Sequence, residues 1–185
     1  MTDQTAPGQL EALREFVNTL DIDEGIEELT SPEALAAWLE PRDLLVKGAD
    51  VGQPELERAL ELRESFRRLL LANNGGERDP AAIESLNHIA DEASISVRFD
   101  PDGLPALAIA GDGEGAVLAP LVAIAYESMV AGTWSRLKVC PADDCQWAFY
   151  DHSKNRSGTW CSMQVCGNRA KVRAYRERRA GTKSG

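Results

Sequence analysis

The sequence predicts an α+β chain in two parts. Residues 1–133 form a mainly helical N-terminal domain with one β-hairpin, residues 134–180 a small cysteine-built module ending in a basic helix, and residues 181–185 a disordered tail. Three observations carry this. Apolar residues recur at helical spacing between capping signals over most of the first 133 positions. One stretch, 94–109, alternates with period two about a turn. All four cysteines of the 185-residue chain, Cys140, Cys145, Cys161 and Cys166, fall in its last quarter, spaced C-x4-C, fifteen residues, C-x4-C.

The elements follow in order. Leu10, Leu13, Phe16, Val17 and Leu20 mark a first helix. Ser31-Pro32 offers an N-cap and a first-turn proline to a second helix, which carries Leu35, Trp38 and Leu39 and stops before Pro41. Pro54 opens a longer one with Leu56, Leu60, Phe66, Leu69 and Leu70 on its apolar side, and Asn73-Asn74-Gly75-Gly76 ends it with residues that tolerate positive φ. Asp79-Pro80 starts a fourth, expected to turn Ile83, Leu86 and Ala90 inward. Ile95, Val97 and Phe99 then alternate with Ser94, Ser96 and Arg98, the turn Asp100-Pro101-Asp102-Gly103 follows, and Leu107 and Ile109 return as the second strand.

The run Gly111-Asp112-Gly113-Glu114-Gly115 is similar to a phosphate-cradling loop. It carries two acidic side chains and lacks the Lys-Ser/Thr of a P-loop, so it reads as a flexible connection. It leads to an alanine-rich helix through Leu118, Leu121, Val122, Ile124, Ala125 and Met129, ending near Gly132. In the module, Trp134 to Val139 reads as a short strand and Pro141 to Asp144 as the turn between the first two cysteines. Trp147 and Phe149 alternate as in a second strand, Asp151 to Thr159 reads as a hairpin loop, and Cys161 and Cys166 fall at the start of the last helix.

Two close cysteine pairs joined by a short loop are the donor set of a closed tetrahedral zinc site, and four thiolates leave no position for water or substrate. One structural Zn2+ is therefore expected on Cys140, Cys145, Cys161 and Cys166. Two disulfides or a thiol switch are the alternative. The N-terminus has no basic region followed by an apolar run, which places the chain in the cytoplasm, where paired cysteines more often bind metal. No stretch approaches the roughly eighteen apolar residues of a membrane span, so a soluble chain is expected.

Charge divides where the cysteines begin. Residues 134–185 hold eleven Lys or Arg against four Asp or Glu, while residues 1–133 hold nine against twenty-six, within a net charge of −10. Arg169, Arg173 and Arg176 share one helical face, Lys171 lies between them, and Arg178 and Arg179 extend the charge. Arginine gives planar, multiply donating contacts to phosphate and to guanine edges, so DNA is the expected partner. Lys154 and Arg156, on the loop between the cysteine pairs, join these DNA candidates, and with Arg169 and Lys171 they would offset the negative charge of a zinc tetrathiolate. An acidic body beside a basic finger also suggests electrostatic docking that masks the helix.

The segment from Trp134 to Arg176 closely resembles the CGNR zinc finger, whose tetrad stands here as Cys166-Gly167-Asn168-Arg169. Upstream, Glu15 to Asp21 (E-F-V-N-T-L-D) followed by a helical body and hairpin is similar to the ABATE domain of bacterial proteins. The resemblance implies a treble-clef-like finger with one zinc on the four cysteines and a role as a stress-response transcription regulator that binds DNA. It also implies an N-terminal domain that senses a small-molecule ligand; assembly of a homodimer is the other role expected of that domain. Arg169 and the basic residues after it would be the DNA contacts, and Gly167 and Asn168 would shape the turn beside the last ligand.

Other residues are assigned lesser roles. His152 could reach the metal only by displacing a cysteine, and His88 is expected to be a partly buried, hydrogen-bonded helix residue. Asn18, polar in an apolar helix, either lines a ligand pocket or fixes helix packing. No nucleophile, base and orienting group stand in a catalytic pattern, so an enzyme is not expected. The competing function is a protein-interaction adaptor whose basic finger docks on an acidic protein surface.

Overall fold

The computed structural model describes residues 4–45, 49–110 and 114–181. Gly111, Asp112 and Gly113 of the glycine run, and all but the first residue of the 181–185 tail, lie outside the described residues. Helix α1 (Leu10–Val17) buries Leu10, Leu13, Phe16 and Val17. Leu20 instead enters a two-residue strand, β1 (Leu20–Asp21), which pairs with β2 (Ile26–Glu27), a hairpin too short to leave an alternating pattern in the sequence. In α2 (Pro32–Leu39), Ser31 Oγ accepts from the Ala34 N–H as the capping signal predicts.

Helix α3 (Gln53–Asn73) is the central column. The Glu55 carboxylate accepts from the Gly52 N–H at 2.8 Å, and Gly75 at φ +90° carries the chain out of the helix. Two arginines on α3 tie down what precedes it. Arg63 donates to both carboxylate oxygens of Glu27 at 2.6 and 2.7 Å and to the Thr19 hydroxyl, while Arg67 donates to the Val17 and Leu20 carbonyls. The end of α1 and the β1–β2 hairpin are thus held against α3 by fully charged donors, which satisfy carbonyls that α1 leaves open.

Helix α4 (Pro80–Glu92) starts where Asp79 Oδ1 accepts from the Ala81 N–H at 2.9 Å. Its inward face is the expected one at Leu86, which packs against the core, and at half-buried Ala90, but Ala82 and Ile89 are the buried residues and Ile83 is 44% exposed. His88 is exposed too, with Nδ1 3.4 Å from the Glu92 carboxylate. The hairpin β3 (Ile95–Phe99) and β4 (Pro105–Ile109) has the expected register, Val97 opposite Leu107, with the turn tied by Asp100 Oδ1 accepting from the Asp102 and Leu104 N–H groups. Its apolar face is open: Phe99 is 72% exposed. Helix α5 (Ala119–Val130) buries Leu121, Ile124 and Ala125, turns Met129 outward, and ends before Gly132 at φ +72°.

One apolar core runs through the molecule, and it crosses the boundary drawn from the sequence. Phe16, Trp38, Phe66 and Trp134 form a chain of tilted and edge-on rings with centroids 5.5 to 6.5 Å apart. Leu137, Val139, Ala148 and Tyr150, all within the cysteine module, belong to the same buried cluster as Leu13, Leu62 and Leu70. Polar groups seal this seam. Asn18 Nδ2 donates to the Ala148 carbonyl at 2.9 Å and its Oδ1 accepts from the Ala148 N–H at 2.7 Å. Asn73 donates to the Trp134 and Leu137 carbonyls, and Asn74 to those of Val139 and Thr159. Both ends of the Asn18 amide are therefore engaged with Ala148, across the seam.

Asn18→Ala would strand both backbone groups of Ala148 inside the seam. Each unsatisfied buried group costs roughly 1 to 3 kcal/mol, so a loss of about 2 to 6 kcal/mol is expected in urea unfolding. A change within ~0.5 kcal/mol, the range of an ordinary surface substitution, would show that the clamp does not hold the module.

Candidate metal centre and nucleic-acid interface

Strands β5 (Leu137–Val139) and β6 (Ala148–Tyr150) pair antiparallel, Lys138 opposite Phe149. Trp134–Arg136 is a 3-10 turn, so the strand expected from Trp134 begins only at Leu137. The β5–β6 connection is a tight knuckle in which the Cys140 N–H donates to the Trp147 carbonyl at 3.0 Å and the Cys145 N–H to that of Ala142 at 2.9 Å. Gln146, at φ +49°, takes the left-handed conformation that turns the chain into β6. Residues 151–159 form an irregular loop and not a hairpin loop, since no strand follows them.

Cys161 comes next, and Cys166 lies in a π-type turn, Met163–Gly167, capped by Ser162 Oγ, which accepts from the Val165 N–H. Helix α6 (Asn168–Gly181) continues from it. A Cβ on Gly167 would lie 2.5 Å from Met163 Sδ and 3.3 Å from Trp160 Cδ1, so glycine lets this turn close beside the last cysteine. Asn168 Nδ2 donates to the Gln164 carbonyl, a structural role as expected.

The four Sγ atoms lie within 4.8 Å of one another, with Cys145 to Cys161 at 3.5 Å and Cys161 to Cys166 at 3.6 Å. Disulfides need about 2.05 Å, whereas a tetrahedral site with metal–sulfur bonds of about 2.3 Å has edges of about 3.8 Å. The donor set thus fits a metal ion. Its protonation balance agrees: the hydrogen bond with Cys145, then that with Cys161, draws the Cys140 thiol toward its anion, while Cys145 and Cys161, each first through its bond with Cys140, are pushed upward. Four close sulfurs cannot all ionise without a cation among them. Trp147, Trp160 and Ala142 cover the cluster.

Arg169 is placed otherwise than a free DNA contact. Its Nη2 donates to Cys166 Sγ at 3.3 Å, and its guanidinium reaches Asp23, after β1, at 3.1 and 3.3 Å and Asp144 in the knuckle at 3.5 Å. The bond to Cys166 sulfur, then that to Asp23, raises its already high pKa. Of the four cations expected near the thiolates, Arg169 reaches a sulfur, while Arg156 donates to Ser135 Oγ. His152 Nε2 pairs with the Thr5 carbonyl at 2.9 Å, outside the sulfur cluster. The N-terminal strip also embraces the module: the Tyr150 N–H donates to the Gln4 carbonyl, and Gln4 Nε2 to that of Cys161.

Lys138 went unnoticed in the sequence, where it reads as the outward residue of a short strand. It is buried, and its ammonium donates to Asp151 Oδ2 at 2.8 Å and to the Arg156 and Gly158 carbonyls at 2.7 and 2.8 Å. All three donors are satisfied, and the loop after β6 is folded around them. Gly158 is required by that contact, since its Cβ would lie 2.7 Å from Asp151 Oδ1.

Beyond Arg169 the helix stands clear of the body. Lys171, Arg173, Arg176, Arg178 and Arg179 are exposed, as are Lys154 and Arg156, and Arg179 lies over the Tyr175 ring at 5.8 Å. The acidic body reaches this helix at its root, through Asp23 on Arg169, and leaves the cations beyond it exposed. No helix among the described residues is long and apolar enough to cross a membrane.

A knuckle and a helix start that converge four cysteines beside a projecting cationic helix define a zinc-finger type of protein. The chain matches the CGNR zinc finger over residues 136–179 and, over residues 11–132, the ABATE domain, described as a putative stress-induced transcription regulator. The latter match covers more than half of the chain, which therefore belongs to the ABATE family, with a CGNR zinc finger at its C-terminal end. No curated protein matches it.

The Asp151 carboxyl gives a pH test. Burial raises its pKa, but the Lys138 ammonium and the Ser153 and Gly158 N–H groups outweigh that and hold it at about 2. A pKa below the unfolded value of about 3.9 contributes stability above roughly pH 4 that is lost as pH falls through 2. The difference in unfolding free energy between wild type and Asp151→Asn should therefore be constant above pH 4 and shrink by about 2 kcal/mol toward pH 2. A difference independent of pH would contradict the assignment.

Proposed function

We propose that this chain is a transcription regulator that binds duplex DNA through α6, fixed in place by one structural zinc ion on Cys140, Cys145, Cys161 and Cys166. The observation that carries the reading is the open outer side of α6: Ala170 and Ala174 turn toward Trp160 and Pro141 of the module, while Lys171, Arg173, Arg176, Arg178 and Arg179 are exposed. A rigidly rooted cationic helix of this length suits the major groove, where arginines reach phosphates and guanine edges. Zinc with four thiolates carries a net charge of −2, and Arg169 offsets part of it while joining the helix start to Asp23. Lys154 and Arg156 extend the cationic surface. Nothing in this reading calls for catalysis, and a DNA partner places the protein in the cytoplasm.

The N-terminal domain would sense a ligand or assemble copies. An apolar groove of about 270 Å³ between the β3–β4 hairpin and α5, lined by Val97, Leu107, Tyr126 and Val130 among others, is the place for either. The adaptor reading uses the same exposed cations against an acidic protein. The regulatory description of the family and the weight of arginine on α6 favour DNA.

Zinc-loaded full-length protein, offered a random pool of duplexes, is expected to enrich a shared sequence, and Arg173→Glu with Arg176→Glu should abolish that enrichment. Arg169 is kept, because reversing it would break the helix root. Failure of the wild type to retain any duplex at low salt, with its zinc content and fold verified, would overturn DNA binding and leave the adaptor. Metal analysis should give one zinc per wild-type chain and its loss in Cys161→Ser; any other metal or ratio contradicts the single structural zinc site.

A further inference from the structure

The surface of α6 is divided in a way that simple phosphate binding does not require. Ala170 and Ala174 are half-buried toward Trp160 and Pro141. At 100° per residue, Val172 points almost directly away from both. Val172 is 48% exposed, and Val165, in the π turn before the helix and 50% exposed, borders the same surface groove as Val172 and Arg176. Arg176, one turn beyond Val172, continues the outward line. Lys171 flanks it on one side and Arg173 on the other.

Resting on the DNA reading above, we infer that Val172 and Arg176 are the base-reading residues of α6, and that Lys171 and Arg173 are phosphate contacts on either rim of the major groove. The chemistry separates the roles. A half-exposed β-branched valine adds nothing to a phosphate clamp and is a weaker helix former than alanine, but its methyls match the thymine C5-methyl group. Arg176 is exposed and pairs with no side chain among the described residues, so it can bind guanine O6 and N7 together. The neighbours on this face are committed elsewhere: Asn168 to the Gln164 carbonyl, Arg169 to Cys166 and Asp23, and Arg179 to Tyr175. Val172 and Arg176 lie about 6 Å apart along the helix axis. With the helix along the groove they span about two base-pair steps of roughly 3.4 Å, so the site should hold a T·A and a G·C pair at that separation.

The test uses zinc-loaded full-length wild type, Val172→Ala, Arg176→Gln and Lys171→Gln, each checked for fold and zinc content, in duplex selection followed by affinity measurement against single-base variants of the wild-type consensus. Arg176→Gln should lose preference at the guanine by about 5- to 150-fold, the equivalent of one bidentate contact, and Val172→Ala, which keeps one methyl, should lower preference at the thymine by roughly 3- to 10-fold. Lys171→Gln should keep the consensus, weaken all sequences alike and lower the salt slope by about 1. If Val172→Ala and Arg176→Gln behave like Lys171→Gln, or if the wild type binds duplexes without preference, the base-reading assignment is overturned while DNA binding stands. A wild type that binds no duplex removes both.

Discussion

The position of β6 is the constraint on which the rest depends. A single asparagine amide, at the end of α1, takes both the N–H and the carbonyl of Ala148, and the side chains of Ala148 and Tyr150 enter the core built by α1 and α3. Because Cys140 and Cys145 sit on the knuckle between β5 and β6, fixing that hairpin fixes half of the sulfur cluster. The other half arrives through the loop wrapped on Lys138 and the π turn that Gly167 lets close. The helix that leaves the cluster inherits its direction from the N-terminal domain through these bonds, with no rigid linker needed.

The contact between the two parts is apolar and amide-built, although their charges are opposite. Exposed ion pairs contribute little in water, whereas buried apolar area and paired amides hold a geometry. An ion pair that crosses the boundary, Arg169 with Asp23, lies at the foot of α6 next to the metal site. It leaves the charge farther along the helix open. Under the proposed DNA-binding role, the acidic body would orient the molecule by repulsion, keeping phosphates on the α6 side.

Much of this was legible in the sequence. The Ser31 and Asp79 caps, the Asp-Pro-Asp-Gly hairpin and the four-cysteine spacing are local signals, and each depends on a few neighbouring residues. What the sequence did not reveal depends on distant partners. Asn18 stood out as polar on an apolar face, but its partner is 130 residues away. Lys138 looks like any outward strand residue, and only the return of the loop at Arg156 and Gly158 makes it the centre of a buried network. On α4 the expected face is inward at Leu86 and Ala90 but exposed at Ile83, because periodicity gives a face without saying which neighbour it must meet. Alternation along β3 likewise gave the pleat, but not that Val97 and Phe99 would stay uncovered. Arg169 read as one of a row of cations, and the fold singles it out by placing a sulfur and two carboxylates around it.

The central claim is that the finger hairpin and the N-terminal domain are one structural unit from which α6 projects. Hydrogen exchange on the zinc-loaded full-length protein tests it most directly. The amides of Val139, Ala148 and Tyr150 should exchange with the same opening free energy as the core amides of α1 and α3, while those of α6 beyond Val172 exchange far faster. Finger-hairpin amides that open independently of α1 and α3, at a much lower free energy, would contradict it.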